Sequence, residues 1–138
     1  MSTCNFRCAF AVKGKHLDFE KIELDLEIKN STTIKKETYY NTIVNDLSKD
    51  ILIYTICADS DVDMKNTLKT LIAHLSYKKN VLDRLKEISE IRLICHINTQ
   101  EIQFFFFFDD EVISEIAELD IDLIISATSI NFKNHKLW

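Results

Sequence analysis

The chain has no proline and a single glycine among its 138 residues. Phosphate-cradling loops need several glycines, so that class of nucleotide site is excluded. The same shortage excludes a G-x-S-x-G nucleophile elbow. Turns have to be built from Asn, Asp, Ser and Thr, whose side chains bond to the local backbone. Long apolar runs are missing too: none approaches the roughly 20 residues needed to cross a bilayer. The first twenty residues show no continuous apolar segment followed by a small-residue cleavage site, so a cytoplasmic location is expected. Positive charge is short, with 17 Lys and Arg against 22 Asp and Glu and a net charge of −5. A duplex-binding protein carries a basic patch, and none is evident. The acidic balance would weakly repel nucleic acid and anionic membranes, so neither is expected as a partner.

Cysteine is sparse, at four residues. Cys4 and Cys8 share one face of a strand but lie ~13 Å apart at ~3.3 Å per residue, so they cannot bridge each other. No pair has the C-x₂-C spacing of a zinc site. Without an export signal the expectation is four reduced thiols, used mainly in core packing. The abundance of Ile, Lys and Asn matches the codon bias of an AT-rich bacterial genome.

What is present is a regular alternation of strand-like and helix-like segments. The composition, 46% hydrophobic and 28% charged, suits one soluble domain with one core. We assign residues 1–130 to that domain and 131–138 to a C-terminal tail. Cys4–Val12 alternates as a strand and ends in a turn at Gly14 and Lys15. Asp18 caps a short helix with Phe19, Ile22 and Leu26 on one side. Residues 29–50 are polar, contain Tyr39 and Tyr40, and read as a loop with one short edge strand. Ile51–Cys57 is apolar on both sides, as expected in a sheet interior. A helix follows from Asp59–Asp61, with Met64, Leu68, Leu71, Ile72 and Leu75 as its buried stripe. Asn80 opens another helix, with Val81, Leu82, Leu85 and Ile88 inward.

Ile91–Ile97 and Ile102–Phe108 both alternate, and four polar residues separate them. That pattern predicts an antiparallel hairpin. Asp109 or Asp110 caps a last helix, with Val112, Ile113, Ile116 and Ala117 facing the core, and Ile121–Ile130 closes the sheet. The order predicts an α+β fold made of ferredoxin-like split β-α-β units, with one mainly antiparallel sheet and helices packed on one face.

Several of these segments carry a family resemblance over about Phe6 to Ile130. They are the opening strand ending in Gly14, and Leu17-Asp18 leading into an Ile- and Leu-rich helix. To these are added Asp59 to Leu75 followed by the Leu82–Leu85 helix, and Ile113, Ile116, Ala117 and Leu119 before the closing strand. Together they resemble the bacterial domain-of-unknown-function family numbered 4279. Members often carry Gly in the second loop and Trp at the start of the middle strand. Here those places hold Lys35-Lys36-Glu37 and Tyr54. The resemblance implies an α+β domain and assigns no catalytic residue, cofactor or metal.

The chemistry-bearing residues are scattered. Asp59-x-Asp61-x-Asp63 resembles the opening of a calcium loop, but the sixth position is Met64 and the twelfth Thr70, where Gly and Glu are needed. The run reads as a helix start favoured by the dipole. No metal site, cofactor or catalytic set is expected. His96 falls on the opposite face from Cys95, where it would join Arg7 and Tyr54. An Arg, a His and a Tyr on an open sheet face could hold an anionic ligand, although a solvated face is the commoner outcome. The phenylalanine run points Phe104, Phe106 and Phe108 one way and Phe105 and Phe107 the other, with Ile94, Leu52, Tyr54 and Ile56. With helices on one face only, the second face presents a large apolar patch, which usually marks an interaction site.

The predicted interaction face is therefore Phe105, Phe107, Ile94, Tyr54, Arg7 and His96. The expected function is a non-catalytic interaction module that uses this face for homodimerisation or a protein partner. An immunity-type inhibitor of a basic toxin is one form of it. The alternative is a small-molecule binding or sensing domain, with a pocket between the sheet and residues 29–50. An enzyme of unrecognised type ranks last.

Overall fold

In a computed structural model, residues 6–36, 48–58, 61–99 and 109–129 are described. The first strand, β1 (Phe6–Gly14), ends where the chain needs its only glycine. A Cβ at Gly14 would lie 2.9 Å from Leu17 Cδ2 and 3.0 Å from the Ile88 carbonyl oxygen. The close approach of two backbones, not an unusual φ, selects glycine at this position. Helix α1 (Phe19–Leu26) starts at Asp18, whose carboxylate accepts from the Lys21 N–H at 3.2 Å. It stops at Glu27, in the left-handed region at φ 54°. The Ile28 N–H reaches back to the Glu23 carbonyl there, which satisfies the last turn without glycine.

A short edge strand β2 (Thr32–Ile34) and the central β3 (Asp50–Ala58) follow. Two helices come next, α2 (Asp61–Tyr77) and α3 (Lys79–Lys86). Strand β4 (Ser89–Thr99), helix α4 (Asp110–Leu119) and strand β5 (Asp122–Ser129) complete the described chain.

The five strands form one sheet in the order β2-β3-β1-β4-β5. β1 pairs antiparallel with both β3 and β4, and β2 with β3, while β5 runs parallel to β4. A parallel neighbour needs a crossover, and α4 lies on that connection. The fold is α+β, with a mainly antiparallel sheet. These pairings do not establish the ferredoxin-like strand arrangement. Ile91–Ile97 is the core of β4, as the alternation implies. The second arm of the expected hairpin, with all five phenylalanines of the run, lies outside the described residues, as do Tyr39 and Tyr40.

Pleating divides the sheet cleanly. Cys8, Phe10 and Val12 of β1 share a face with Leu52 of β3 and with Ile91, Leu93, Cys95 and Ile97 of β4. Against them pack Ile22 and Leu26, then Met64, Leu68, Leu71, Ile72 and Leu75, then Leu82 and Leu85, and finally Val112, Ile116 and Leu119. Burial of this layer, at ~25 cal/mol per Å² of apolar surface, is the main stabilising term. Three apolar residues expected inward are outside: Ile88 is 62% exposed, Ile113 55%, and Ala117 is exposed beside the buried Ile116. Helix α3 ends at Lys86, so Ile88 leaves the helical period; Ile113 lies one residue beyond Val112 and off the buried stripe.

Asp109 caps α4 by accepting from the Val112 N–H at 3.0 Å, and also meets Lys65 of α2 at 2.9 Å and Lys69 at 3.4 Å. The Val112 N–H and then Lys65 hold its carboxyl down at about 2. His74 donates from Nε2 to the Leu26 carbonyl at 2.5 Å, since a carbonyl can only accept, and so ties α2 to the end of α1.

Candidate functional site

The residues expected to form one interaction face are distributed by the register. On β1 and β4, Arg7 stands directly opposite His96. Their row continues to Cys57 on β3 and to Ser126 on β5. Ile94 lies on the same side, opposite Ala9 and Ile124. The shared placement holds for Arg7, His96 and Ile94.

It fails for Tyr54. Tyr54 pairs with Phe10 and packs against the helical core, on the other side of the sheet. Leu52 and Ile56 go with it, and the second face of β3 is made by Ile51 and Ile53 instead. Continuous apolarity in β3 concealed which half faced which layer. Phe105 and Phe107 lie outside the described residues.

The centre of the second face is closed already within one chain. Ala11 and Ile51 are 0% exposed, Ile94 2%, Ala9 8% and Ile53 9%. His96 is buried at 5%, while its partner Arg7 is exposed. No second copy is required to remove Ile94 from water. The face is charged at its far end, where Lys13 and Lys49 both approach Glu90 at 3.7 Å.

Asp50 is the other buried polar residue among those described. Its two oxygens accept from the Leu17 N–H at 3.0 Å and the Lys36 N–H at 2.8 Å, joining the β1–α1 turn to the β2 end. Burial alone would raise its pKa, but the two N–H donors with Lys36 and His16 outweigh it and hold the carboxyl below its ordinary value. The role is structural: it satisfies loop amides that a chain poor in glycine has to order.

An accessible concavity lies between α1 and α3, with a volume near 310 Å³. Its apolar part is Ile22 with Val81, Leu85 and Ile88. Its rim carries Lys21 and Arg84 with Asp25, and His16 stands at one end. Asp18 also lines it, but its carboxylate is engaged at the helix cap. The Lys36 ammonium donates to His16 Nδ1 at 3.0 Å, which leaves Nε2 as the side of the ring able to donate. The groove can hold an apolar side chain at its floor and polar groups of either sign at its rim. Sequence reasoning missed it because it treated Val81 and Ile88 as interior. The available signal was Ile88 itself, an apolar residue just past a helix end and flanked by Glu87 and Ser89.

The cysteines correct one expectation. Cys57 is disulfide-bonded, so the chain does not hold four free thiols. Strand spacing keeps Cys4 from Cys8 but says nothing of bridges between separate segments. Cys8 and Cys95 are free and fully buried in the core, as expected of small hydrophobes. Among the described residues no three His, Cys, Asp or Glu side chains gather as metal ligands. The side chains of the Asp59–Asp63 run lie outside the described residues. No helix among the described residues is long and apolar enough to cross a membrane.

No curated protein and no solved structure matches the chain. A family model does, over residues 2–129, which takes in every strand and helix just described. The chain belongs to the family described as domain of unknown function 4279.

Proposed function

We propose that this domain is a non-catalytic interaction module and that the groove between α1 and α3 receives its partner. The observation that carries the reading is Ile88. It is 62% exposed at the mouth of a concavity whose floor, Ile22 and Leu85, is already buried. A large aliphatic side chain held in water beside a preformed apolar floor gains most from being covered. Two helices flanking such a groove suit the helix-in-groove mode, in which a partner helix inserts apolar residues and its charged flanks meet the rim. Lys21 and Arg84 would meet acidic flanks, and Asp25 a basic one.

The second sheet face supports this role less directly, because its centre is filled within the chain. Arg7 remains exposed there and could extend an interface.

A photo-crosslinking residue placed at position 88 tests the reading in cells that make the protein. The expected result is an adduct of discrete mass from position 88 and none from position 118, on the exposed side of α4. The Arg84→Glu exchange should weaken the adduct. Equal labelling from both positions, or none from 88, would overturn it. A small-molecule mass retained on the intact protein in native mass spectrometry, and lost on Ile88→Asp, would assign the groove to a small ligand instead.

A further inference from the structure

We propose that Cys8 and Cys95 are a cross-strand dithiol that hydrogen peroxide converts to a disulfide, stapling β1 to β4. The two residues are register partners on adjacent antiparallel strands and point into the same helical core. Opposed residues in such a pair have Cα atoms ~4.5 or ~5.5 Å apart, and both values fall within the range a disulfide spans. Both thiols are free and 0% exposed. They hydrogen-bond to each other, and Cys8 Sγ also donates to the Met64 carbonyl at 3.7 Å. The sulfurs are therefore in contact before any oxidation, and little backbone movement is needed to join them.

Their environments are unequal. The hydrogen bond from Cys95 lowers the Cys8 pKa against the opposing effect of burial, whereas the same contact and burial raise that of Cys95. With Cys8 as the attacking sulfur Cys95 is the resolving one, and the reverse order gives the same linked product. In the first step the Cys8 thiolate attacks one oxygen of hydrogen peroxide, the O–O bond breaks, and hydroxide leaves with the electron pair and takes up the proton that Cys8 gave up, forming water. Cys8 becomes a sulfenic acid. In the second step Cys95 sulfur attacks Cys8 sulfur, the S–O bond breaks, and the hydroxyl leaves as water with the Cys95 proton. Two thiols are oxidised by two electrons and one peroxide is reduced to water. A small uncharged oxidant suits a buried pair. The Cys57 disulfide takes no part, since Cys57 stands opposite Arg7 on the other face.

The test exposes the native protein to hydrogen peroxide until an added free-cysteine peptide is fully consumed. Remaining thiols are then alkylated under denaturing, non-reducing conditions, and the peptides are mapped by mass spectrometry. The expected result is one new linked pair joining the Cys8 and Cys95 peptides, two hydrogens lighter than their sum. Thermal unfolding should shift upward by several degrees and return on reduction. In Cys95→Ser the link and the shift should both disappear. Recovery of both thiols alkylated, separate conversion to sulfinic acids, or a link from either residue to Cys57 would each overturn the proposal. The unmodified chain decides the matter alone if the variant does not fold.

Discussion

Gly14 shows how a single residue carries a fold constraint. The Ile88 carbonyl oxygen 3.0 Å from a hypothetical Cβ is backbone and cannot rotate away. Gly14→Ala should therefore destabilise the domain by about 1–3 kcal/mol, the usual cost of overpacking, and denaturant unfolding would measure it. Asp50 acts through the opposite effect, a partner supplied rather than a space left open. Asp50→Ala would strand the Leu17 and Lys36 amides, at about 1–3 kcal/mol for a buried group left unsatisfied. The charge also matters. Because the folded carboxyl titrates below its unfolded value, its contribution is complete above the ordinary Asp range. It is lost as pH falls through the folded pKa. Unfolding midpoints of Asp50→Asn should accordingly vary less with pH in the acid range than those of the parent.

At the scale of elements, Asp109 links two helices through three contacts, one to the Val112 amide and two to lysines of α2. Its folded pKa of about 2 lies under the unfolded value of ~3.9. The link is whole above pH ~4 and dissolves as pH falls from there towards 2. Asp109→Asn should remove that part of the acid dependence, and amide exchange at the first turn of α4 would report the frayed cap. Caps were legible in sequence for a plain reason: Asp18 and Asp109 each precede an apolar helical period, and both accept the amide three residues on. The α2 stripe was equally legible, because five apolar residues at helical spacing admit one buried side. Ile88 and Ile113 were not. Whether an apolar residue at a helix margin is covered depends on what lies beside it, and periodicity carries no such information.

For the whole molecule, alternation located the strands but not the side of β3 that meets the helices, since β3 is apolar on both sides. Only pairing with β1 puts Tyr54 with Phe10 and Ile53 with Ala11. The same pairing puts Arg7 opposite His96, an encounter between residues 89 positions apart that spacing alone could only suggest. Burial then separates two surfaces that composition left equivalent. The centre of the second sheet face is interior, and the α1–α3 groove is open. A charge introduced at each distinguishes them. Ile88→Asp should change stability by no more than about 0.5 kcal/mol, as expected for an exposed site, while abolishing the position-dependent partner contact.

The most direct test is the unfolding free energy of Ile94→Asp measured beside that of Ile88→Asp. Ile94 is 2% exposed in a single chain, so a carboxylate there should cost at least about 3 kcal/mol or prevent folding. A folded, monomeric Ile94→Asp protein of parental stability would show that the second face is open to water, and would contradict the account.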